Sequence, residues 1–301
     1  MKLKLWQVDA FAERPFSGNP AAVVPLESWL SDGEMQAIAN ENNLAETAFF
    51  VPHATGMGHY DLRWFTPAVE VPLCGHATLA SGWVVLNELM PSADLVRFET
   101  KSGELTVSRE ANERLKMALP ASSVDPFLAP AGLAAALAEL TGGVAPEELH
   151  WADKGAGGNP GLVAVWPETA LRGMKPGSGL TEALGRVKAR GLLATARGDG
   201  KPYDFLSRFF APSLGVHEDP VTGSANCALT RFWSKRLGKR TLRVFQASPR
   251  GGEPSAASSV ASGRVIVKHA PRSAPSLSAR MLPPCSSIRC RQIASPSPSP
   301  P

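Results

Sequence analysis

Three ionisable side chains have the types and settings that proton-transfer chemistry requires. Glu46 alternates with Ala48 and Phe50 along one face of a predicted strand, an apolar setting in which a carboxylate can hold a proton near neutral pH. His76 and Asp219 each lie close to a glycine that precedes an apolar helical run. An imidazole can handle a proton beside an anion site, and a carboxylate can orient a polar group of a substrate. The three residues are therefore candidates for one acid/base site.

Each candidate also has a simpler structural interpretation. Glu46 could face water on an edge strand, and His76 could stand at a helix start without a chemical task. Asp219 is followed by Pro220, and aspartate commonly begins such a turn. Taken singly, the three residues leave these alternatives open.

Two segments, residues 65–78 and 210–225, share one order of residue types. Each passes from an aromatic-X-Pro sequence to a glycine, Gly75 or Gly223, which small residues and an apolar helical run follow. This order predicts a strand end, a tight turn, and a helix whose first backbone N–H groups are free to bind an anion. The glycines lie 148 positions apart, and a Gly-Asn-Pro sequence at 18–20 recurs at 158–160. The spacing predicts two related halves that bring both helix starts to one cleft, because solenoid repeats are several-fold shorter.

Length and composition narrow the class of protein. The chain has 301 residues and 44% hydrophobic content, which allow a sizeable core and about two domains. The sequence contains no apolar run near the ~18 residues of a membrane span. Asp9 and Glu13 interrupt the N-terminal apolar stretch too early for a signal peptide. We therefore expect a cytoplasmic protein that does not enter a membrane.

Metal and nucleotide sites are not predicted. Cys74, His76, His217 and Cys227 lack the spacing of a structural zinc site, and the four cysteines form no disulfide framework. The glycine-rich residues 155–158 precede a predicted strand instead of opening a helix, which does not suit a dinucleotide loop. We expect no metal ligands in this chain.

The last 48 residues differ in composition from the rest. Residues 254–301 hold nine Pro, twelve Ser, six Lys or Arg, and no Asp or Glu. The remainder has 25 basic and 27 acidic side chains, so the sequence pI of 9.0 reflects this tail. A basic nucleic-acid-binding arm is one interpretation. We instead predict an aberrant or disordered tail that adds little to the fold, apart from strand-like residues 263–268, and no nucleic-acid partner.

Strands outnumber helices in the predicted pattern, which indicates an α+β fold with mostly antiparallel or mixed sheets around a few helices. Ser31 and Glu34 form a capping box that predicts a helix start. Gly238, after two basic residues, is a natural end for the long helix that begins near Ser224. We divide the chain into an N-terminal half, 1–118, a C-terminal half, 119–253, and the tail, 254–301.

Several motifs occur together in a characteristic order. They cover most of the chain up to about residue 253 and lie at residues 8–11, 15–24, 35–39, 46–49, 65–70, 75–76, 218–225 and 246–252. In this order they resemble the phenazine-biosynthesis PhzF-like isomerase family. The resemblance implies a diaminopimelate-epimerase-like fold: two pseudo-symmetric halves, each a sheet wrapped around a central helix, with the active site between them.

The resemblance also implies roles for individual residues. Glu46 matches the proton-shuttling glutamate of the family, with His76 and Asp219 in supporting positions. The resemblance implies no metal or organic cofactor, a small-molecule carboxylate substrate and a homodimer. The residues expected to bind the substrate, chiefly through backbone amides, are Gly75, Gly223, Ser224 and Asn19.

Two positions depart from the family pattern. Ala45 stands where the family often has serine, and Asn226 stands where many members carry histidine. The tail also replaces the strands that normally close the family structure. These departures question the stability of this chain more than its chemistry.

The resemblance leaves three functional hypotheses. Related two-base epimerases use a thiol at each helix start; Cys74 has a position comparable to the first, and Gly223 occupies the second. We therefore favour an isomerase in which Glu46 moves a proton between carbons on one face of the substrate. The alternatives are a racemase or epimerase that uses Cys74 and a non-catalytic binding protein, because fold does not fix function.

Overall fold

Two similar series of strands and helices make up the structure. The computed structural model describes residues 2–14, 16–110, 114–120, 122–152, 161–198, 202–259, 264–269 and 291–294. The first series contains helices α1 (Asp32–Asn42) and α2 (Gly75–Val84), the latter continued by one π-helical turn, Val85–Leu89. Its strands are β1 (Lys2–Ala10), β2 (Asn19–Pro25), β3 (Glu46–Pro52), β4 (His59–Phe65), β5 (Glu70–Val71), β6 (Leu95–Glu99), β7 (Leu105–Arg109) and β8 (Leu115–Pro120).

The second series runs in the same order. Its helices are α3 (Leu133–Ala138), α4 (Glu168–Gly173), α5 (Gly179–Arg186) and α6 (Gly223–Leu237). Its strands are β9 (Val124–Pro126), β10 (Glu148–Ala152), β11 (Gly161–Val165), β12 (Gly191–Arg197), β13 (Phe205–Ala211), β14 (Val216–Asp219), β15 (Thr241–Gln246), β16 (Ser255–Ser259) and β17 (Arg264–His269). A further strand, β18 (Arg291–Ala294), pairs with β1.

Strand pairing shows that the two series repeat one topology. In the first, β1–β2 is antiparallel, β2–β3 parallel, β3–β4 antiparallel, β4–β6 parallel, and β6–β7–β8 antiparallel. In the second, β10–β11, β11–β12, β12–β13, β13–β15 and β15–β16–β17 follow the same sequence of directions. Strands β8 and β17 pair with each other and join the halves. The predicted α+β fold with two pseudo-symmetric halves is confirmed.

The two long helices fill the curved sheets. Helix α2 packs on β1, β2, β3, β7 and β8, and nine of its ten residues are buried. Helix α6 packs on β13, β15, β16 and β17 in the same way. Gly82 marks the closest approach, because an added Cβ would lie 2.5 Å from a methyl of Val107 on β7. The absence of a side chain at Gly82 thus lets α2 sit directly on the sheet.

The helix ends follow the sequence signals. The Ser31 side chain accepts a hydrogen bond from the Glu34 backbone N–H, and the Glu34 side chain accepts one from the Ser31 backbone N–H. The predicted capping box is therefore present. Gly238 ends α6 in the left-handed conformation, with φ of 65°, and Lys235 and Arg236 lie in the last turn. Both predictions are confirmed.

Part of the predicted tail has a defined place. Strand β16 pairs with β15, and β17 pairs with both β16 and β8, so these strands correspond to β7 and β8 of the first half. Strand β17 coincides with the strand-like residues that the sequence indicates. The interpretation of 254–301 as an aberrant or disordered tail stays a prediction, and much of it lies outside the described residues, as does the Gly-Asn-Pro sequence at 158–160. Within the described residues, no helix is long and apolar enough to cross a membrane.

Candidate active site

The structure brings Glu46 and His76 together. Glu46 is the first residue of β3, and His76 is the second residue of α2. Glu46 Oε2 lies 3.1 Å from His76 Nε2, with side-chain exposures of 16% and 4%. Neither atom makes a hydrogen bond in the part of the chain that the structure describes, because the pair meets the ion-pair distance without hydrogen-bond geometry. Two buried polar atoms therefore face each other with hydrogen-bonding capacity unused.

The other nitrogen of His76 faces polar groups of two different segments. Nδ1 lies 3.2 Å from Asn19 Nδ2 and 3.4 Å from the Cys74 sulfur. Asn19 begins β2, and Cys74 is the N-cap residue of α2. The imidazole is thus held between the carboxylate of Glu46 on one side and an amide and a thiol on the other.

Burial and neighbouring charges set the protonation of this group. Burial of the ring opposes protonation of His76, but Cys74 and Glu46 together favour it more strongly and raise its pKa well above the usual value. Burial, followed by the charge of Glu46, raises the pKa of the Cys74 thiol to about 11. Cys74 is therefore an uncharged thiol near neutral pH.

Asp219, at the end of β14, approaches from the second half. Its Oδ1 accepts a hydrogen bond from Asn19 Nδ2 at 2.7 Å, and its Oδ2 accepts one from Thr222 Oγ1 at 2.5 Å. Burial raises the pKa of Asp219 to about 6; the charge of His76 opposes this rise and that of Glu46 adds to it. The structure therefore unites all three predicted acid/base residues, two from the first half and one from the second.

The starts of α2 and α6 meet beside these residues. A Cβ added to Gly75 would lie 3.5 Å from the Cα of Gly223, and the N-cap residues Cys74 and Thr222 make no side-chain cap bond. First-turn N–H groups have no acceptor within a helix. Two such N-termini meeting in one place form a setting for an anion, and Ser224 at the start of α6 is exposed.

The position of Asn19 differs from a simple substrate contact. Its Nδ2 donates to Asp219 and, at 2.9 Å, to the carbonyl of Val221, while its Oδ1 makes no hydrogen bond to a described residue. Gly18, with φ of 72°, turns the chain into β2, and a Cβ there would lie within 2.2 Å of the Ala10 carbonyl oxygen. Asn19 therefore links the two halves and offers only an acceptor to a ligand.

Sequence reasoning missed two residues at this site. Thr222, not Gly223, is the N-cap counterpart of Cys74, so a hydroxyl stands where a second thiol would be needed. Gln246 is fully buried and hydrogen-bonds the segment that carries Asp219. The matching segments around 218–225 and 246–252 contain both residues, but a single sequence does not show that these segments touch.

Among the residues that the structure describes, two groups of side chains have the composition of metal ligands. Ligand atoms of Glu46, Cys74 and His76 lie within 4.8 Å of one another. His76, however, turns Nε2 to Glu46 and Nδ1 to Cys74, so no single ring nitrogen adjoins both. The second group is His59, Glu99 and Glu104 on the outer surface of β4, β6 and β7. The prediction that the chain binds no metal remains a prediction.

A separate cavity of about 350 Å³ lies at the C-terminal end of α6, between β11 and the helix. Trp166, Trp233, Arg197 and Arg236 are among its lining residues, and Arg236 is already paired with Glu148. None of the predicted acid/base residues lines this cavity. The candidate site is therefore the cluster between the halves.

Comparison with known proteins is consistent with this arrangement. The sequence model of the family described as phenazine biosynthesis-like protein (PhzC-PhzF) matches residues 8–267. The chain belongs to this family. It is 46% identical over 252 residues to an uncharacterized isomerase of Pseudomonas aeruginosa, an alignment that covers 84% of this chain and 90% of that protein. The match to the family model ends at residue 267, beyond residue 253, where the composition of the chain changes.

Solved structures of the family have the same fold. The structure of a PhzF family protein from Enterococcus faecalis matches with a TM-score of 0.77 and 37% identity, covering 89% of this chain and 95% of that chain. A predicted epimerase from Pseudomonas aeruginosa matches with a TM-score of 0.71 and 24% identity over 89% and 95% of the two chains. The second match shows the fold alone.

Proposed function

We propose that this family member is an isomerase that moves a proton between two carbons of a small carboxylate substrate, with Glu46 as the acid/base. The observation that carries the proposal is the Glu46–His76 pair, 3.1 Å apart and buried beside two helix N-termini. A relative named as an isomerase supports an isomerase or epimerase more generally. The substrate and the role of Glu46 are the parts that the proposal adds.

The meeting helix starts suit the carboxylate of such a substrate. Backbone N–H groups at Gly75, Gly223 and Ser224 would hold it, aided by the positive ends of two helix dipoles. Asn19 would contribute by holding Asp219 in place, and its free Oδ1 could accept a bond from a substrate N–H or O–H. A bound carboxylate would place the neighbouring carbon atoms close to Glu46.

The reaction needs only a proton and an electron pair to move within the substrate. Glu46 removes a proton from one carbon, the electron pair of that C–H bond shifts into the carbon framework, and Glu46 returns the proton to a second carbon. Nothing is oxidised or reduced overall. His76 beside Glu46 orients the carboxylate before proton removal, and as an imidazolium it would offset the negative charge that the substrate carries afterwards. Asn19 donates to Asp219 and its amide nitrogen lies 3.2 Å from His76 Nδ1, so it would keep Asp219 close to the imidazole.

The alternatives have less support from the geometry. A two-base racemase needs a reactive group on each face of the substrate, yet Cys74 is kept as a thiol by a pKa of about 11, and its counterpart is Thr222. A thiol with so high a pKa is a poor base at neutral pH. A binding protein would not require these three ionisable groups in one largely buried place, because such groups cost free energy to desolvate.

The decisive experiment is exchange with heavy water. The protein is incubated in heavy water with a panel of small β,γ-unsaturated and α-substituted carboxylic acids, and NMR and mass spectrometry follow deuterium entry. We expect exchange into at least one acid, and Glu46→Gln should lower its rate by about 10²–10⁴-fold while substrate affinity changes little. Full activity of Glu46→Gln, or loss of activity in Cys74→Ser, would replace this proposal with the racemase.

Cofactor independence, a homodimer and a cytoplasmic location complete the proposal. The first two rest on the family resemblance. The exchange assay with extensively dialysed, chelator-treated protein tests the first of them, because an acid/base reaction through Glu46 should survive the treatment.

A further inference from the structure

A buried amide supports the turn that carries Asp219. Gln246 ends β15 and has no exposed surface. Its Oε1 accepts a hydrogen bond from the Thr222 backbone N–H at 2.8 Å, and its Nε2 donates to the Asp219 carbonyl at 2.7 Å. Nε2 also lies 3.3 Å from Thr222 Oγ1. One side chain thus satisfies both ends of the short segment between β14 and α6.

These two hydrogen bonds determine which partner the Thr222 hydroxyl takes. An N-cap threonine commonly accepts a bond from the first turn of its helix, but Thr222 makes no such bond. With its N–H held by Gln246, its hydroxyl instead donates to Asp219 Oδ2 at 2.5 Å. Gln246 therefore helps to leave the start of α6 uncapped and to fix one oxygen of Asp219.

The other oxygen of Asp219 completes the connection to the site. Oδ1 accepts from Asn19, whose amide nitrogen lies 3.2 Å from His76 Nδ1. A shift of the 219–222 turn would therefore move Asp219 relative to Asn19 and His76. The side-chain hydrogen bonds of Gln246 reach Asp219 and Thr222 of the turn and not Glu46, His76 or Asn19.

We propose that Gln246 is a positioning residue, which sets Asp219 against Asn19 and His76 and keeps the start of α6 open for an anion. The inference rests on the proposed function for its kinetic consequences, but its structural content is independent of the substrate. Displacement of a supporting group by about 1 Å can lower a catalysed rate by about 10²-fold.

The test compares Gln246→Met, Gln246→Glu and the control Ser248→Ala. Methionine keeps the approximate size and removes both hydrogen bonds, whereas protonated glutamate can restore one donor and one acceptor. Ser248 Oγ donates to the Pro220 carbonyl of the same turn at 2.7 Å, so its loss removes a neighbouring hydrogen bond and leaves the bonds of Gln246 to Asp219 and Thr222 in place. Thermal unfolding of each variant identifies a temperature at which all are folded.

In the exchange assay, we expect Gln246→Met to lower kcat by about 10²-fold and to raise KM, because the start of α6 would no longer be held open for the carboxylate, and we expect Ser248→Ala to match the wild type. Gln246→Glu should resemble Gln246→Met at pH 8 and recover as the pH falls and the buried carboxyl is protonated. Recovery at low pH, relative to the wild type and the methionine variant, is a readout that mere destabilisation would not give. A wild-type kcat in Gln246→Met would overturn the inference.

A second arm requires no substrate. NMR follows the titration of the Asp219 carboxyl carbon and the exchange rate of the Thr222 amide proton. In Gln246→Met, the Thr222 amide proton should exchange faster. The pKa of Asp219 should rise, because the hydrogen bond from Thr222 stabilises the carboxylate form and the variant weakens that bond. Unchanged values in both measurements would also overturn the inference. If no carboxylate exchanges deuterium, or Glu46→Gln remains active, the proposed function fails while this arm still decides the role of Gln246.

Discussion

Glu46 and Gly191 occupy equivalent positions in the two halves. Glu46 begins β3 opposite Ala21, and Gly191 begins β12 opposite Gly161, in parallel strand pairs of the same register. A Cβ at Gly191 would lie 2.9 Å from the ring of Phe209. The second half therefore has no room for the carboxylate that the first half carries. Only the first half supplies an acid/base side chain at this position.

This asymmetry predicts the fate of the transferred proton. If Glu46 alone removes and returns it, a substrate deuterated at the reacting carbon should deliver part of its label to the product within one turnover. Two-base chemistry would instead wash the label out to solvent. Single-turnover mass spectrometry in ordinary water measures the retained fraction.

The matched variant for this prediction is Cys74→Ser. The side chain of Cys74 lies 3.4 Å from His76 but remains a thiol, so a hydroxyl should preserve both packing and most of the rate. We expect activity within about threefold of the wild type. This loss is far smaller than the loss of about 10²–10⁴-fold expected when an acid/base group is removed. A much larger loss, with the label washed out, would assign the chemistry to the thiol.

The sequence predicts the meeting of the helix starts better than the contacts that support them. Repeated motifs around Gly75 and Gly223 are local patterns, so they predict where the helices begin. The bonds of Gln246 to residues 219 and 222 are long-range, and a glutamine at a strand end has no sequence signal for burial. The sequence-based division of the chain near residue 253 follows a change in composition. Composition does not indicate that β16 and β17 pair with β15 and β8, because strand pairing depends on neighbours that are distant in the sequence.

Packing of α2 on the sheet gives a stability prediction. Gly82→Ala should gain about 1 kcal/mol of helix propensity, but its Cβ would approach a Val107 methyl to 2.5 Å. Overpacking of this kind costs about 1–3 kcal/mol, so we expect net destabilisation in urea unfolding. In a Val107→Gly background, which removes the Val107 Cβ 2.6 Å away as well as the methyl groups, the same substitution should be neutral or stabilising. Simple additivity of the two changes would contradict the close approach.

The strands after residue 253 give a second stability prediction. A chain that ends at residue 253 lacks β16 and β17, which leaves β8 and β15 without their partners. A chain that ends at residue 269 keeps both. We therefore expect the shorter chain to unfold at a lower temperature, measured by calorimetry. Equal unfolding temperatures would instead support the sequence-based prediction that everything after residue 253 adds little to the fold.

Burial of Asp219 predicts how stability depends on pH. Its pKa is about 6 in the folded protein, against 3.8 for the ordinary side chain. The folded state therefore binds the proton more tightly, and the stability that this proton gives is lost as the pH rises from about 4 to about 6. A pKa that is higher by about two in the folded state corresponds to about 3 kcal/mol in the free energy of unfolding.

Asp219→Asn isolates this contribution. Asparagine imitates the protonated acid, because its oxygen can accept from Asn19 and its nitrogen can donate to Thr222. Urea unfolding at pH 4 and pH 7 should show the free energy of unfolding of the variant rising relative to the wild type by up to about 3 kcal/mol. A difference between variant and wild type that does not change with pH would show that Asp219 is ionised throughout this range in the folded protein.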